Sequence, residues 1–288
     1  MEKSTYNTKH YYNSLSFTLW PFLLSTSLFV VVYMMVFLFN KYYIVSSVYS
    51  FIMLAVFLTI FLDSFFEWIL EIREEAFCGK YTKKLRSAIV FGFMLFLLSE
   101  IMIFGSFFWV FFDRLFHLSY VTGYLSVPTS VELIRWFKEP LYATVVLVAS
   151  GYTCNYSYYL FRENDLLQAY LYSFLTNLLG CIFLYIQYME YSHLKFTISD
   201  TVYCAVFFLL TGFHGTHVLI GTLFLFVQYW IKWKEGNNNL LGLTLALIYW
   251  HFVDIIWIFL FIFVYLFNNL DYLMIKEDWY NYTNYYFK

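Results

Sequence analysis

Five ionisable side chains lie inside long apolar stretches, where such groups are rare. Glu100 stands near the midpoint of one stretch, while His214 and His217 are three residues apart in another, as are His251 and Asp254 in a third. In a helix, residues three positions apart share a face. Groups of these types can pair across helices, hold or pass a proton, or, for histidine, ligate haem iron. These five residues are therefore the candidate polar site of the chain.

The spacing leaves more than one role open for them. A carboxyl group at Glu100 is either paired or neutral between helices, or it is a working proton or ion site. For the histidines, interhelical pairing that fixes the bundle is the simplest interpretation, with Glu100 among the partners. Haem ligation by one histidine from each of the two stretches is the alternative.

A second candidate site lies in the charged sequence that begins at Trp68. There, Arg73 and Glu74 stand beside the aromatic residues Trp68 and Phe77, which favour a membrane surface. A guanidinium and a carboxylate at that level can hold a phospholipid head group. The alternative is an ordinary positively charged loop.

Composition indicates the environment in which these residues act. Of the 288 residues, 62% are apolar, 26% are aromatic and only 12% are charged, against about 25% charged in a typical soluble domain. So few charges cannot cover a water-facing surface, which excludes a soluble globular protein. The formal net charge of -2 offers no basic surface for phosphate backbones, which excludes nucleic-acid binding.

A membrane helix needs about 20 mostly apolar residues to cross the hydrocarbon region. Seven segments meet that requirement, so we predict an all-α, polytopic membrane protein with one membrane domain over residues 1–288. The predicted spans are 17–39, 44–68, 88–112, 141–160, 166–189, 202–230 and 240–267. Lys and Arg are more numerous on the side of the N-terminus, which predicts that this terminus is on the inner side.

Nine sequence motifs follow one another along the chain. The two longest are G-F-H-G-x-H-V at Gly212 to Val218 and Y-W-H-F-V-D-x-x-W at Tyr249 to Trp257. The shorter ones are Trp20-Pro21, I-R-E-x-x-F-x-G at Ile72 to Gly79, Ser99-Glu100, F-F-W at Phe107 to Trp109, A-S-G at Ala149 to Gly151, Glu190-Tyr191 and F-T-I-S-D at Phe196 to Asp200. In type and order these motifs resemble those of the cytochrome c oxidase subunit III family. The chain departs from the family at Tyr158 and Tyr159, where a His pair is frequent, at Tyr81, where a His is frequent, and at Thr244, where a Glu is frequent.

The resemblance implies two helices packed in a V against five others, with phospholipids in the cleft. It also implies a core subunit of mitochondrial complex IV that supports electron transfer from cytochrome c to oxygen, and coupled proton pumping. Such a subunit stabilises subunit I, binds phospholipids and sustains proton uptake. Partners would be subunits I and II and smaller accessory subunits. Haem a and copper would reside in those partners, with no cofactor other than phospholipid, no catalytic residue and no metal ligand in this chain.

For individual residues, the resemblance implies that Glu100 pairs with His217. Lys232 and Lys234, like Arg73 and Glu74, would contact lipid head groups. The location would be the mitochondrial inner membrane, with the N-terminus in the matrix and the C-terminus in the intermembrane space.

Three other functions compete with this one. A subunit III of a quinol oxidase would share the same motifs. A free-standing proton or ion transporter would use the five ionisable residues as a relay, although its usual internal repeats are not visible in the sequence. A haem-b membrane protein would follow from the haem alternative.

Overall fold

The computed structural model describes residues 18–39, 44–78, 82–116, 134–235, 240–267 and 269. Within these residues all the regular secondary structure is helical. The helices are α1 (Trp20–Phe39), α2 (Ile44–Phe77), α3 (Lys83–Phe116), α4 (Glu139–Glu163), α5 (Leu166–His193), α6 (Val202–Glu235) and α7 (Leu241–Leu260). A π-helical segment, Phe261–Phe267, continues α7. The seven predicted segments are therefore confirmed as helices.

Six of the seven helices are long and apolar enough to cross a membrane. The exception among the described helices is α4, because Ser, Thr, Asn and Tyr dilute its apolar residues. These polar groups form hydrogen bonds to neighbouring helices. The Thr153 hydroxyl is 2.9 Å from the Thr176 hydroxyl of α5, and the Ser157 hydroxyl is 3.3 Å from the Tyr229 hydroxyl of α6. Hydrogen bonds of this kind join helices in membranes. That α4 spans the membrane stays a prediction.

Charged residues after the second apolar segment do not end its helix. The sequence placed the end of that span at residue 68, but α2 continues to Phe77. Glu, Arg and Ala are good helix formers, and charge excludes a segment from hydrocarbon without excluding it from a helix. The candidate lipid site of Trp68, Arg73, Glu74 and Phe77, called the head-group motif below, therefore lies on the last turns of α2.

The chain divides into two compact units, residues 1–91 and 92–288. In the first unit α1 packs along α2, and the buried residues include Ser27 of α1 and Ser64 of α2. Small side chains let two helices approach closely, which explains serines at this contact. The single-domain organisation and the lipid-filled cleft stay predictions.

In the second unit, α4 packs on α5, α5 on α6, α6 on α7, and α7 on α4. Asn164, in a left-handed conformation with φ of 63°, ends α4 and allows the short turn into α5. Before α6, the carboxylate of Asp200 accepts hydrogen bonds from the backbone N–H and the hydroxyl of Thr197, which hold the pKa of Asp200 below its usual value. The part of α3 in this unit contacts α6 and α7 through aromatic rings, including those of Phe104 and Phe107.

Trp250 lies at the centre of this unit and is fully buried. Its indole lies between two glycines: a Cβ on Gly180 of α5 would be 3.0 Å from the ring, and one on Gly221 of α6 would be 2.9 Å from it. The indole N–H donates to the Ser150 hydroxyl of α4 at 3.0 Å. One side chain of α7 thus contacts α4, α5 and α6.

Candidate functional site

Glu100 meets His217 between α3 and α6. The carboxylate oxygen Oε2 is 3.4 Å from Nε2 of His217, and both side chains are largely buried. The other ring nitrogen, Nδ1, is 2.8 Å from the hydroxyl of Tyr249 on α7. The three residues form a chain of proton-carrying groups across three helices, near the midpoint of α3. Such a chain can hold the helices together and can keep a proton at that depth.

His214 does not share this arrangement, although it lies one turn before His217. Its Nε2 is 3.3 Å from the backbone carbonyl of Val253, and its ring packs on Phe183 and Trp257 with centroid distances of 5.5 Å and 5.0 Å. It is 1% exposed. The two histidines therefore face different neighbours: His217 reaches Glu100 and Tyr249, whereas His214 lies in the aromatic core.

His251 and Asp254 form the second polar pair, as their spacing on one face of α7 suggested. Nδ1 of His251 is 3.5 Å from Oδ2 of Asp254, and Nε2 is 2.9 Å from Oδ1 of Asn155 on α4. Gly151 makes room for this contact, since a Cβ there would collide with Oδ2 of Asp254. The pair joins α7 to α4 and is separate from Glu100 and His217.

In the first unit, the head-group motif lines a cavity of about 350 Å³. Trp20 contributes from the start of α1, and the other lining residues come from α2: Glu67, Leu70, Glu71, Arg73 and Glu74. The cavity thus carries three carboxylates and one guanidinium. It can hold a group that bears both a phosphate and an ammonium, because each charge has an opposite charge on the wall.

The other predicted lipid contacts lie elsewhere. Trp68 is half-buried on α2 and does not line that cavity. Lys232 is 9% exposed in the second unit. Phe77 and Lys234 fall within α2 and α6, but their side chains lie outside the described residues.

Sequence reasoning did not assign roles to Tyr249 and Asn155. Tyr249 stands within the motif that ends at Trp257, three residues before Phe252 and four before Val253, on the face that turns to α6. Asn155 is a polar residue four positions after Gly151, on the same face of α4. The polar side chain of Asn155, one helical turn after the A-S-G motif, was the feature of the sequence that could have indicated this contact. Within the described residues, no three His, Cys, Asp or Glu side chains are grouped to hold a metal ion.

Comparison with known proteins gives a consistent result. The family described as cytochrome c oxidase subunit III matches residues 10–269. A protein named cytochrome c oxidase subunit 3 from Allomyces macrogynus is 40% identical over 200 residues, covering 69% of this chain and 73% of that protein. Proteins of the same name from Patiria pectinifera and Tetraodon nigroviridis are 40% and 37% identical, covering 68% and 75% of this chain and 76% and 84% of theirs.

Proposed function

Because the chain belongs to the cytochrome c oxidase subunit III family, we propose that it is the non-redox core subunit III of a mitochondrial cytochrome c oxidase. In this role it stabilises subunit I, binds phospholipids and sustains proton uptake, while electron transfer from cytochrome c to oxygen takes place in its partners. Subunits I and II hold the haem a and copper. The complex lies in the mitochondrial inner membrane, with the N-terminus of this chain in the matrix and its C-terminus in the intermembrane space.

The observation that carries this proposal is that the intramembrane histidines pair with polar side chains, most of which lie on other helices. His217 directs its two ring nitrogens at Glu100 and Tyr249, and His251 directs its own at Asp254 and Asn155. Imidazoles engaged in this way hold a bundle together. This supports a structural and proton-holding role rather than ligation of haem iron.

The outer faces of the helices support assembly with other subunits. Large apolar side chains are exposed along α3, including Met94, Met102 and Trp109. In a membrane such a face meets either lipid or another hydrophobic helix. A subunit that buttresses a larger partner needs a face of this kind.

Glu100→Gln tests the proposed role. Native gels of mild-detergent membrane extracts are probed with an antibody to residues 271–288 and stained in parallel for cytochrome c oxidation. We expect the wild-type chain and the variant to migrate with a large haem a and copper complex. The variant complex should be less stable by about 1 kcal/mol, because it loses the carboxyl partner of His217. Its proton pumping should also fail earlier during turnover.

Glu139→Gln serves as a control because it removes a carboxylate at the start of α4, outside the Glu100 and His217 pair. It should leave pumping durability unchanged. Migration of the wild-type chain as a small species without haem a would contradict the proposal. A large complex that oxidises quinol and not cytochrome c would assign the chain to the quinol oxidase alternative. Loss of haem a in assembled Glu100→Gln complex would contradict the non-redox role.

We propose that the cavity of the first unit binds the head group of a phospholipid. The mixed charge of its wall supports a zwitterionic head group, with the phosphate at Arg73 and the ammonium at the carboxylates of Glu67, Glu71 and Glu74. Trp20 would lie beside the glycerol region, at the level that tryptophan favours.

Arg73→Gln is expected to remove one tightly held phospholipid from the purified complex, because the phosphate loses its charged donor. Native mass spectrometry of the complex, with extraction and quantification of the retained lipids, measures this loss. Arg86→Gln is the matched control, since Arg86 is exposed on α3 and does not line the cavity. Equal lipid content in both variants and the wild type would refute head-group binding at Arg73.

A further inference from the structure

The inner face of α5 carries two polar side chains that none of the preceding sites uses. Gln187 is 7% exposed and Glu190 is 3% exposed. They are three residues apart, so they share one face of the helix. Glu190 lies three residues before the end of α5 at His193, which corresponds to a rise of about 4.5 Å. The two side chains therefore lie near one end of the bundle but are closed off from its surface.

Glu190 has one hydrogen-bonding partner among the described residues. The Tyr265 hydroxyl, in the π-helical segment after α7, donates to Oε1 at 2.8 Å. Tyr265 is 1% exposed, and the amide of Gln187 lies beside the same hydroxyl. Three side chains from two helices thus direct polar atoms at one small buried region.

Three polar atoms in this region make no hydrogen bond of good geometry within the described part of the chain. They are Oε2 of Glu190 and both amide atoms of Gln187. Leaving one such atom unpaired in a buried position costs about 1 to 3 kcal/mol. Native proteins rarely accept that cost three times in one place, and ordered water is the usual partner.

Aromatic rings form the walls of the region. Tyr265 packs on Phe207 at 5.8 Å and on Trp257 at 6.0 Å between ring centroids. Trp257 in turn contacts His214, whose Nδ1 is also without a partner in the described residues. Because Gln187, Glu190 and Tyr265 are at most 7% exposed, a lipid or another subunit has little access to these polar atoms. A group that pairs with them must therefore be small, and water is the smallest candidate.

We propose that ordered water binds between Gln187 and Glu190, under Tyr265, as a buried hydration site of the bundle. The Gln187 amide offers water both a donor and an acceptor, and Glu190 offers a second acceptor. Two to four polar partners are what a buried water requires. The site is separate from the Glu100 and His217 pair and does not depend on the partners proposed for the complex.

Hydroxyl-radical labelling tests this site in the purified, assembled complex. Radicals formed by brief irradiation of water oxidise buried aromatic rings that lie beside bound water, and mass spectrometry locates the oxidised residues. We expect Tyr265 to be oxidised several-fold faster than Tyr229. If solvent exposure alone set the oxidation rate, Tyr229 would be oxidised faster, because it is 6% exposed and Tyr265 is 1% exposed.

Gln187→Leu keeps a side chain of similar size and removes two of the polar atoms. It should bring the labelling rate of Tyr265 down to that of Tyr229. Asn177→Leu, which replaces an amide elsewhere on α5, should leave the rate unchanged. Equal oxidation of Tyr265 and Tyr229 in the wild-type complex would overturn the proposal, as would an unchanged rate in Gln187→Leu.

A structure of the wild-type complex at a resolution that shows water gives a test that needs no variant. Density within hydrogen-bonding distance of the Gln187 amide and Oε2 of Glu190 is expected. Direct hydrogen bonds from protein groups to all three atoms, with no density between them, would refute the hydration site.

Discussion

Replacing Trp257 with Ala is expected to remove most of the assembled complex from the membrane. The side chain is fully buried and its indole N–H donates to the Thr144 hydroxyl of α4 at 3.0 Å. Its ring also packs on Phe183 of α5 at 4.7 Å and on His214 of α6. Truncating a buried Trp to Ala costs about 3 to 5 kcal/mol, because it removes packing and leaves a cavity. That is a large fraction of the stability of a domain.

The amount of chain that migrates with haem a on native gels measures this effect, together with the midpoint of thermal dissociation. Trp257→Phe is the milder variant for comparison. It keeps an aromatic ring in the space that Trp257 fills and loses mainly the hydrogen bond to Thr144. It should retain most of the complex. Equal losses in the Ala and Phe variants would show that the hydrogen bond, and not the packing, makes Trp257 important.

Adding a single methyl group at Gly221 is expected to destabilise the second unit strongly. A Cβ there would be 2.9 Å from the Trp250 ring and 3.3 Å from the Tyr249 ring. Trp250 has little room to shift, because Gly180 lies against Cη2 and Cζ2 of the same ring and the indole N–H is bonded to Ser150. Overpacking of this kind costs about 1 to 3 kcal/mol, so Gly221→Ala should lower the thermal midpoint and the yield of complex.

Gly215→Ala is the matched control on the same helix. A Cβ at Gly215 would have no heavy atom within 4 Å. Since Ala favours a helix over Gly by about 1 kcal/mol, this variant should be neutral or slightly more stable. The two changes differ only in position, and opposite signs are therefore expected. A comparable loss of complex in both variants would show that close packing on Trp250 is not the cause.

Much of the fold could be predicted from the sequence, because lipid restricts the choice of structure. Long apolar stretches must be helical where every backbone group needs an internal partner, and all seven are helices. The ends were less predictable. The charged residues placed the end of the predicted second span at residue 68, whereas α2 continues to Phe77. A helix can extend beyond the hydrocarbon region when its residues have high helix propensity.

The candidate site was also predictable only in part. Contacts along one helix followed from spacing, as for His251 and Asp254. Contacts between helices did not: His214 and His217 share a helix face in the sequence, but one meets the core and the other meets Glu100. The direction of each ring depends on which neighbour approaches which side of α6. A single sequence carries no such distances, and only the resemblance indicated the partner of Glu100.

Two departures from the family turn out to be neighbours. The hydroxyl of Tyr158 on α4 is 3.1 Å from Oγ1 of Thr244 on α7. They are 86 positions apart in the sequence, so nothing in the sequence indicated that they are in contact. This contact places two neutral hydroxyl groups next to each other at positions where the resemblance implies ionisable side chains.

The position of Trp250 between Gly180 and Gly221 also bears on the order in which the protein is built. Because α7 follows α4, α5 and α6 along the chain, a ribosome makes it after them. Until α7 inserts into the bilayer, α5 and α6 meet only through contacts of their own, such as the Thr222 methyl group of α6 against Gly180 of α5. Helices α4, α5 and α6 can therefore associate in the membrane first, but the space between Gly180 and Gly221 is filled only when the indole arrives. Insertion of α7 is thus the step at which this part of the nascent chain acquires its final geometry.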